Sequence, residues 1–349
     1  MSDVPARADV VVVGGGVMGA STAYHLVRAG VRNVVLLERE AFFGLGATGR
    51  CAGGIRHQFG TEINIRLSIH SLRMLDDLEA ETGQPALVRK CGYLFVLTQP
   101  DDVAAFQRNV ALQHALGVPT EWLSGDDVRQ RLPQCAFPDA LGGTYLAADG
   151  LADPNSVVSA YINAARRGGA QCLTDVVVTG LDTQGGRITA VQTSAGRIAA
   201  GAVVNAAGPW SAPLAGMAGV NLPVQPLRRQ WLTTTGLPGL GPSFPFVIDL
   251  RRACTFIPRA RACSPACQTQ ARRPASIRAS TRTGSWCIWR RPRSACRCSN
   301  RLGWPRAGRG CMRSRPTPTQ SLARRRWTAF TWSPASRATA LCTDPSAAY

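Results

Sequence analysis

The chain has 349 residues, 45% of them hydrophobic and 17% charged, and a formal net charge of +19. Its length exceeds what one small core needs and suits a two-part enzyme or two modest domains; no run of 18 or more apolar residues marks a membrane span. The charge would ordinarily point to nucleic acid or an anionic surface, but residues 251–349 hold 21 Arg, no Lys and one acid, Asp344. That stretch carries +20, which leaves residues 1–250 at −1, so the excess charge does not mark the first 250 residues as a nucleic-acid or anionic-surface binder.

The first predicted element is a buried strand, DVVVV at 9–13. It follows the N-terminus without the basic segment, apolar stretch and small-residue cleavage site of a secretory signal, so the expected compartment is the cytoplasm. G-G-G-V-M-G comes next, then ASTAYHLVRAG, an apolar-periodic helix ending at Gly30, and a second strand, VVLL at 34–37, closed by Glu38. This is a complete βαβ dinucleotide unit. Gly14 permits the tight turn, Gly16 lets the backbone approach a pyrophosphate, and Gly19 lets helix and strand pack closely. Val17 and Met18 open the helix, whose free N–H groups and positive dipole end face the phosphates. Glu38, followed by Arg39, is placed to accept hydrogen bonds from ribose hydroxyls. A carboxylate there disfavours NADP, but the pattern alone does not separate FAD from NAD.

After Glu40 comes AFFGLGATGRCAGGIRHQFGTEINIRLS, a long glycine-rich connection into a helix, where an NAD domain proceeds to its next βα unit. With this stretch the sequence resembles the FAD-dependent D-amino-acid oxidase superfamily, particularly the branch containing glycine oxidase and the sarcosine oxidases. The resemblance implies that Thr48, Gly49, Arg50, Gly53 and Gly54 line FAD. It also implies that Arg56 grips the substrate carboxylate, a task suited to the planar, permanently charged guanidinium fork. Read from the residues alone, Arg56 is equally an arginine at a helix entry, and His57 is either a neighbour of the flavin or a structural histidine.

Further along, YLFVL at 93–97 reads as a strand, about 101–116 as a helix, and Asp126-Asp127-Val128 as part of a short helix. Asp149-Gly150 and Asp153-Pro154-Asn155 lead into a capped helix, VVSAYINAARRGG. Three strands then follow, joined by turns at Gln184-Gly185-Gly186 and Ser194-Ala195-Gly196, and they end in N-A-A-G-P-W-S. By the resemblance, Val178 packs beside the adenine, while Ala207, Gly208 and Trp210 return to the pyrophosphate. PVQPLRRQWLTTT reads as a strand in which Arg228 and Arg229 are substrate contacts or solvated edge residues.

The expected fold class is α/β, an α+β two-domain flavoprotein: a Rossmann-type FAD-binding domain (residues 1–85 and 151–215) with an inserted, mostly antiparallel substrate domain (86–150 and 216–250). Residues 251–349 carry eight of the twelve Cys, five of the eight Trp and no Val. Their cysteines show no zinc-ligand spacing, so no metal is expected. Regrouping the nucleotides by one frame permits G-L-Y-F-H from ACTFI, G-L-Y-E-x-T-P-D from GCMRSRPTP, and V-D-G-F-Y-L-V-A-G-F-S-G-H-G-F-M-H-G-P from Arg326 onward. All three resemble late motifs of the family, in its order. The reading frame is therefore read as lost between about Leu250 and Ala253, which leaves residues 251–349 as a tail without a native domain, disordered or misfolded.

By resemblance, the enzyme oxidises the C–N bond of a small amine or amino acid of the sarcosine, glycine, proline or D-amino-acid kind. Hydride passes to flavin N5, the imine is hydrolysed, and oxygen or another electron acceptor reoxidises the flavin. The alternatives are a truncated, non-catalytic remnant of such an enzyme, and a flavoprotein with a basic nucleic-acid-binding tail. No nucleic acid and no membrane span are expected, and no partner subunit is named.

Overall fold

The computed structural model describes residues 4–227, 241, 243–251, 254–259 and 262–267. The opening unit forms as its pattern dictates. Strand β1 (Arg7–Val13) feeds helix α1 (Val17–Arg28), and strand β2 (Val34–Leu37) returns beside β1 in parallel, Val11 opposite Val35 and Val13 opposite Leu37. The four residues of β2 are all buried, as befits an inner strand covered on both faces. Gly30, at φ 86°, ends the helix, its N–H donating to the Val27 carbonyl.

Next come strand β3 (Gly54–Ile55), helix α2 (Glu62–Asp76), helix α3 (Leu78–Thr82), strand β4 (Tyr93–Leu97), helix α4 (Pro100–Ala115), strand β5 (Glu121–Ser124), helix α5 (Gly125–Arg131), and strands β6 (Gly142–Leu146) and β7 (Gly150–Leu151). Helix α6 (Pro154–Arg167) starts as its sequence predicts. Asp153 caps it by accepting from the Ser156 amide at 2.7 Å, and Pro154 sits in the first turn, where no N–H is needed. Strands β8 (Gln171–Leu173), β9 (Val178–Gln184), β10 (Arg187–Thr193) and β11 (Gly196–Asn205), helix α7 (Ser211–Gly216), and strands β12 (Phe246–Asp249), β13 (Cys254–Arg259) and β14 (Ala262–Cys267) complete the described chain.

Two six-stranded sheets result. One runs β8-β2-β1-β11-β10-β9, parallel from β8 to β11 with the β9–β10–β11 meander antiparallel at its edge. The other runs β14-β13-β12-β4-β6-β5 and is antiparallel except between β12 and β4. A two-residue ladder, β3 against β7, stands apart from both. Helices α1 and α6 pack on the first sheet around Val12, Leu36, Val157 and Tyr161. Each such buried aliphatic side chain stabilises the fold by roughly 1.5–3 kcal/mol.

The second sheet continues past the composition break, with β13 pairing to β12 and β14 to β13. Arg251, the first residue after that break, grips the buried Asp102 carboxylate of α4 with Nε and Nη2, at 2.7 and 3.0 Å. Residues 223–227 form no strand, and Arg228, Arg229 and residues 268–349 lie outside the described residues. Among the described residues no helix is long and apolar enough to cross a membrane.

Burial in the first core has a consequence at alkaline pH. It pushes the Cys172 thiol from 9.0 to about 11 and the Tyr161 phenol from 10.0 to about 12. Both groups hold their protons more tightly folded than unfolded. The stability they contribute is whole below pH 9 and is lost as pH rises through about 11 and 12. The thermal midpoint should fall progressively above pH 9, and Cys172→Ala should flatten the first part of that fall. A fall of the same steepness in Cys172→Ala would assign the effect to other groups.

Candidate active site

The glycine turn, the segment after β2 and the turn after β11 meet at the carboxyl ends of β1, β2 and β11, where open α/β sheets bind their ligands. Gly14 has φ 111°, and a Cβ there would strike the Ala206 carbonyl. Gly19 has no room for one because the Gly14 carbonyl occupies that position, so its role in close helix–loop packing stands as read. Only Thr48 Oγ1, 3.0 Å away, meets a Cβ built on Gly16. Helix α1 begins there with no side-chain cap on Gly16 and no acid in its first turn, which leaves a positive end suited to an anion. The Thr48 hydroxyl accepts from the Val17 amide at 3.1 Å, and the Gly49 amide donates to the Gly44 carbonyl at 2.7 Å. These bonds bring the glycine-rich connection beside the helix start.

Glu38 has a task its sequence position did not reveal. Its Oε2 accepts from the Gly15 amide at 2.7 Å and its Oε1 from the Glu40 amide at 2.9 Å. The carboxylate thereby stitches the glycine loop to the end of β2, with lone pairs remaining on both oxygens for further donors. The Glu38 carbonyl accepts from the Val176 amide, and the Glu40 carbonyl from the Asp175 amide. The chain leading to Val178 is thus tied beside residues 38–40. The Ala206 amide donates to the Val13 carbonyl at the end of β1, the Ala207 amide donates to Asn205 Oδ1, and Gly208 turns at φ 54°. The Arg39 guanidinium lies 3.7 Å above the Trp210 ring, so two residues 171 positions apart share one edge of the crevice. Met18 packs partly buried on the α1 side, and Arg50 is exposed.

Gly53 and Gly54 serve the protein's own packing. Gly53, at φ 75°, faces the Ala152 carbonyl, and a Cβ on Gly54 would lie 2.8 Å from the Phe246 ring. Just beyond them, the Arg56 guanidinium sits 4.5 Å from the Phe59 ring, 5.3 Å from Phe95 and 5.5 Å from Tyr93. Its Nη1 donates to the Tyr93 hydroxyl at 3.2 Å, while Nε is buried without a hydrogen-bond partner. Among the described residues no carboxylate pairs with it. Burial pushes the Tyr93 phenol up, against the pull of the neighbouring Arg56 charge. His57 turns the other way, with its Nδ1 2.7 Å from Asp149 Oδ1.

Sequence reasoning missed the aromatic walls and Asp149. Tyr93 and Phe95 sit in a run whose five residues are all buried, and Asp149-Gly150 reads as an ordinary turn. The one available signal was a tyrosine within an otherwise apolar strand. Among the described residues no cluster of His, Cys, Asp and Glu is arranged to hold a metal.

A parallel sheet whose carboxyl edge carries this glycine turn, helix end and carboxylate defines a dinucleotide-binding protein of the Rossmann type. The chain belongs to the DAO family of FAD dependent oxidoreductases, which it matches over residues 9–282. Over 243 residues it is 32% identical to mitochondrial sarcosine dehydrogenase of Mus musculus, covering 68% of this chain and 26% of that protein. Over 249 residues it is 31% identical to 4-methylaminobutanoate oxidase (formaldehyde-forming) of Paenarthrobacter nicotinovorans, covering 71% and 30%. L-proline dehydrogenase from P. horikoshii superimposes with a TM-score of 0.70 at 29% identity, over 75% of this chain and 70% of that one. The chain spans about a quarter of the length of the curated dehydrogenases it matches. FAD is the family's cofactor, and the cradle fits it: a bare backbone at Gly14 and Gly16, an uncapped helix start, and a carboxylate with lone pairs to spare.

Proposed function

We propose that this chain carries the FAD-binding part and part of the substrate site of an oxidoreductase acting on the C–N bond of a small amino acid. One observation carries the reading: a guanidinium, Arg56, held in an aromatic cage with no carboxylate on it among the described residues. The cage strips water from the cation and so strengthens its attraction for a substrate carboxylate. The names of sarcosine dehydrogenase, dimethylglycine dehydrogenase and 4-methylaminobutanoate oxidase share an N-methylated amine with a carboxylate, and we take that class as the substrate.

FAD, when bound, supplies the two-electron acceptor. Gly14, Gly16, Val17, Met18 and Gly19 would receive its pyrophosphate, with Thr48, Gly49 and Arg50 beside them. Glu38 and Arg39 would take its ribose and Val178 would pack beside its adenine, with Ala207, Gly208 and Trp210 returning to the pyrophosphate side. Gly53 and Gly54 would line the cofactor farther along the glycine-rich connection. Arg56 orients the substrate by its carboxylate, and Phe59, Tyr93 and Phe95 exclude water around that contact. Oxygen or another acceptor completes the turnover.

Residues 1–85 with 151–215, and 86–150 with 216–250, form the FAD-binding and substrate parts in this reading. The division is supported by their separate sheets. The composition change near residue 250 keeps the tail beyond it as an out-of-frame segment in the same proposal, and resequencing the gene across Phe246 to Cys254 tests that. The free thiols of Cys91 and Cys172 support a reducing compartment, taken as the cytoplasm.

The function is tested by mixing the FAD-reconstituted chain anaerobically with sarcosine, N,N-dimethylglycine, glycine, proline and methylamine, and following the flavin absorbance. The expected result is bleaching by an N-methylated amino acid and none by methylamine, which lacks the carboxylate. Equal bleaching by methylamine, or none by any of the five, would overturn the proposal.

A further inference from the structure

Asp149 is fully buried, with 0% of its surface exposed, in the turn between β6 and β7. A lone carboxylate so placed is costly unless hydrogen bonds satisfy it. Here the donors come from two consecutive residues, and both directly follow Arg56. Oδ1 accepts from the His57 amide at 2.8 Å and lies 2.7 Å from His57 Nδ1, while Oδ2 accepts from Gln58 Nε2 at 3.1 Å. The ring nitrogen facing Oδ1 is Nδ1, which suits the tautomer that donates from Nδ1. Gln58 Nε2 also donates to the Tyr93 carbonyl at 3.0 Å, on the same residue whose hydroxyl receives Arg56. The backbone is tied as well: Ile55 pairs with Gly150 across β3 and β7, and the Gly92 amide donates to the Asp149 carbonyl.

We propose that Asp149 is a positioning residue for Arg56. Its carboxylate clamps the 57–58 backbone and side chains against β4, so that the Arg56 guanidinium is held in its aromatic cage rather than free to swing away. The inference rests on the reading of Arg56 as the carboxylate anchor. A pre-set arginine loses less side-chain entropy when a substrate carboxylate arrives, and the affinity gained is specific to carboxylate ligands.

The test is calorimetric titration of benzoate, an unreactive carboxylate, into the FAD-reconstituted full chain. Arg56→Met should weaken binding strongly. Asp149→Asn keeps the shape of the side chain but turns one acceptor into a donor facing other donors. It should raise the benzoate Kd by about tenfold, the usual scale for unpairing a hydrogen bond to a charged group, with FAD content retained. In the Arg56→Met background the same substitution should change residual binding less than about twofold, because it then has no arginine to position. A further variant, His57→Phe, removes the ring donor while leaving Asp149 in place, and should weaken benzoate in the same direction; it decides the matter if Asp149→Asn does not fold.

Benzoate binding in Asp149→Asn equal to that of the unsubstituted chain, or unchanged in His57→Phe where that variant decides, overturns the inference alone. So does a loss of the same size with and without Arg56, which would make Asp149 merely structural. No benzoate binding by the unsubstituted chain, or binding indifferent to Arg56→Met, overturns the arginine reading and this inference with it.

Discussion

Gly19→Ala should abolish retention of FAD. The methyl group would be built into the space of the Gly14 carbonyl, and both atoms belong to the turn that carries the pyrophosphate cradle. No side-chain rotation relieves a clash between a Cβ and a backbone carbonyl, so the turn or the whole of α1 must move. Overpacking of this kind costs about 1–3 kcal/mol, and here the displaced atoms include the helix N-terminus that receives the phosphates. The expected readings are a flavin-to-protein ratio near zero after gel filtration and a lower urea midpoint. Gly216→Ala is the matched control, because a Cβ at that helical position meets nothing within 4 Å; it should leave both readings as they are. A Gly19→Ala chain with normal flavin content and urea midpoint would remove the cradle from this turn.

Arg56→Met should leave flavin binding intact and cut turnover of amino-acid substrates. Methionine fills much of the same volume among Phe59, Tyr93 and Phe95, so packing changes little while the charge disappears. Losing one partner of a desolvated, hydrogen-bonded charge pair costs about 2–5 kcal/mol, or roughly thirty- to several-thousand-fold in kcat/KM at 1.4 kcal/mol per factor of ten. The loss should fall mainly on KM and should be absent for amines that carry no carboxylate. Arg56→Lys should recover only part of the activity, because an ammonium lacks the planar two-point fork. Equal losses for substrates with and without the carboxylate would show that Arg56 acts in some other way.

Gly19 sits where the sequence was readable, because its role depends on local chain geometry; Arg56 stood open in the sequence, because its aromatic neighbours Tyr93 and Phe95 lie far along the chain. Strand, glycine turn, helix and second strand lie within residues 7–37, and hydrophobic period and glycine spacing suffice to set such a unit. The same holds for the cap at Asp153, the tight turns at Gly185–Gly186 and Gly196, and the buried strand at Tyr93–Leu97. The two-residue strands β3 and β7 were not readable, since two residues carry no period. The strand read over residues 223–235 is absent from 223–227, and its remainder lies outside the described residues.

Contacts between segments far apart in the chain came only with the folded molecule. Glu38 read as a ribose ligand, and the fold adds two backbone amides to it. His57 stood open between a neighbour of the flavin and a structural histidine, and Asp149, 92 positions away, settles which way its ring turns. The cage around Arg56 is assembled from β4 and the entry to α2, and Arg39 stacks on Trp210 although most of the described sequence lies between them. Local pattern sufficed for the longer strands and helices and for the glycine turn, because periodicity, turns and caps are set by neighbouring residues. Pairings such as Asp149 with His57 leave no mark on local pattern; they exist only once β3 and β7 have brought two distant turns together.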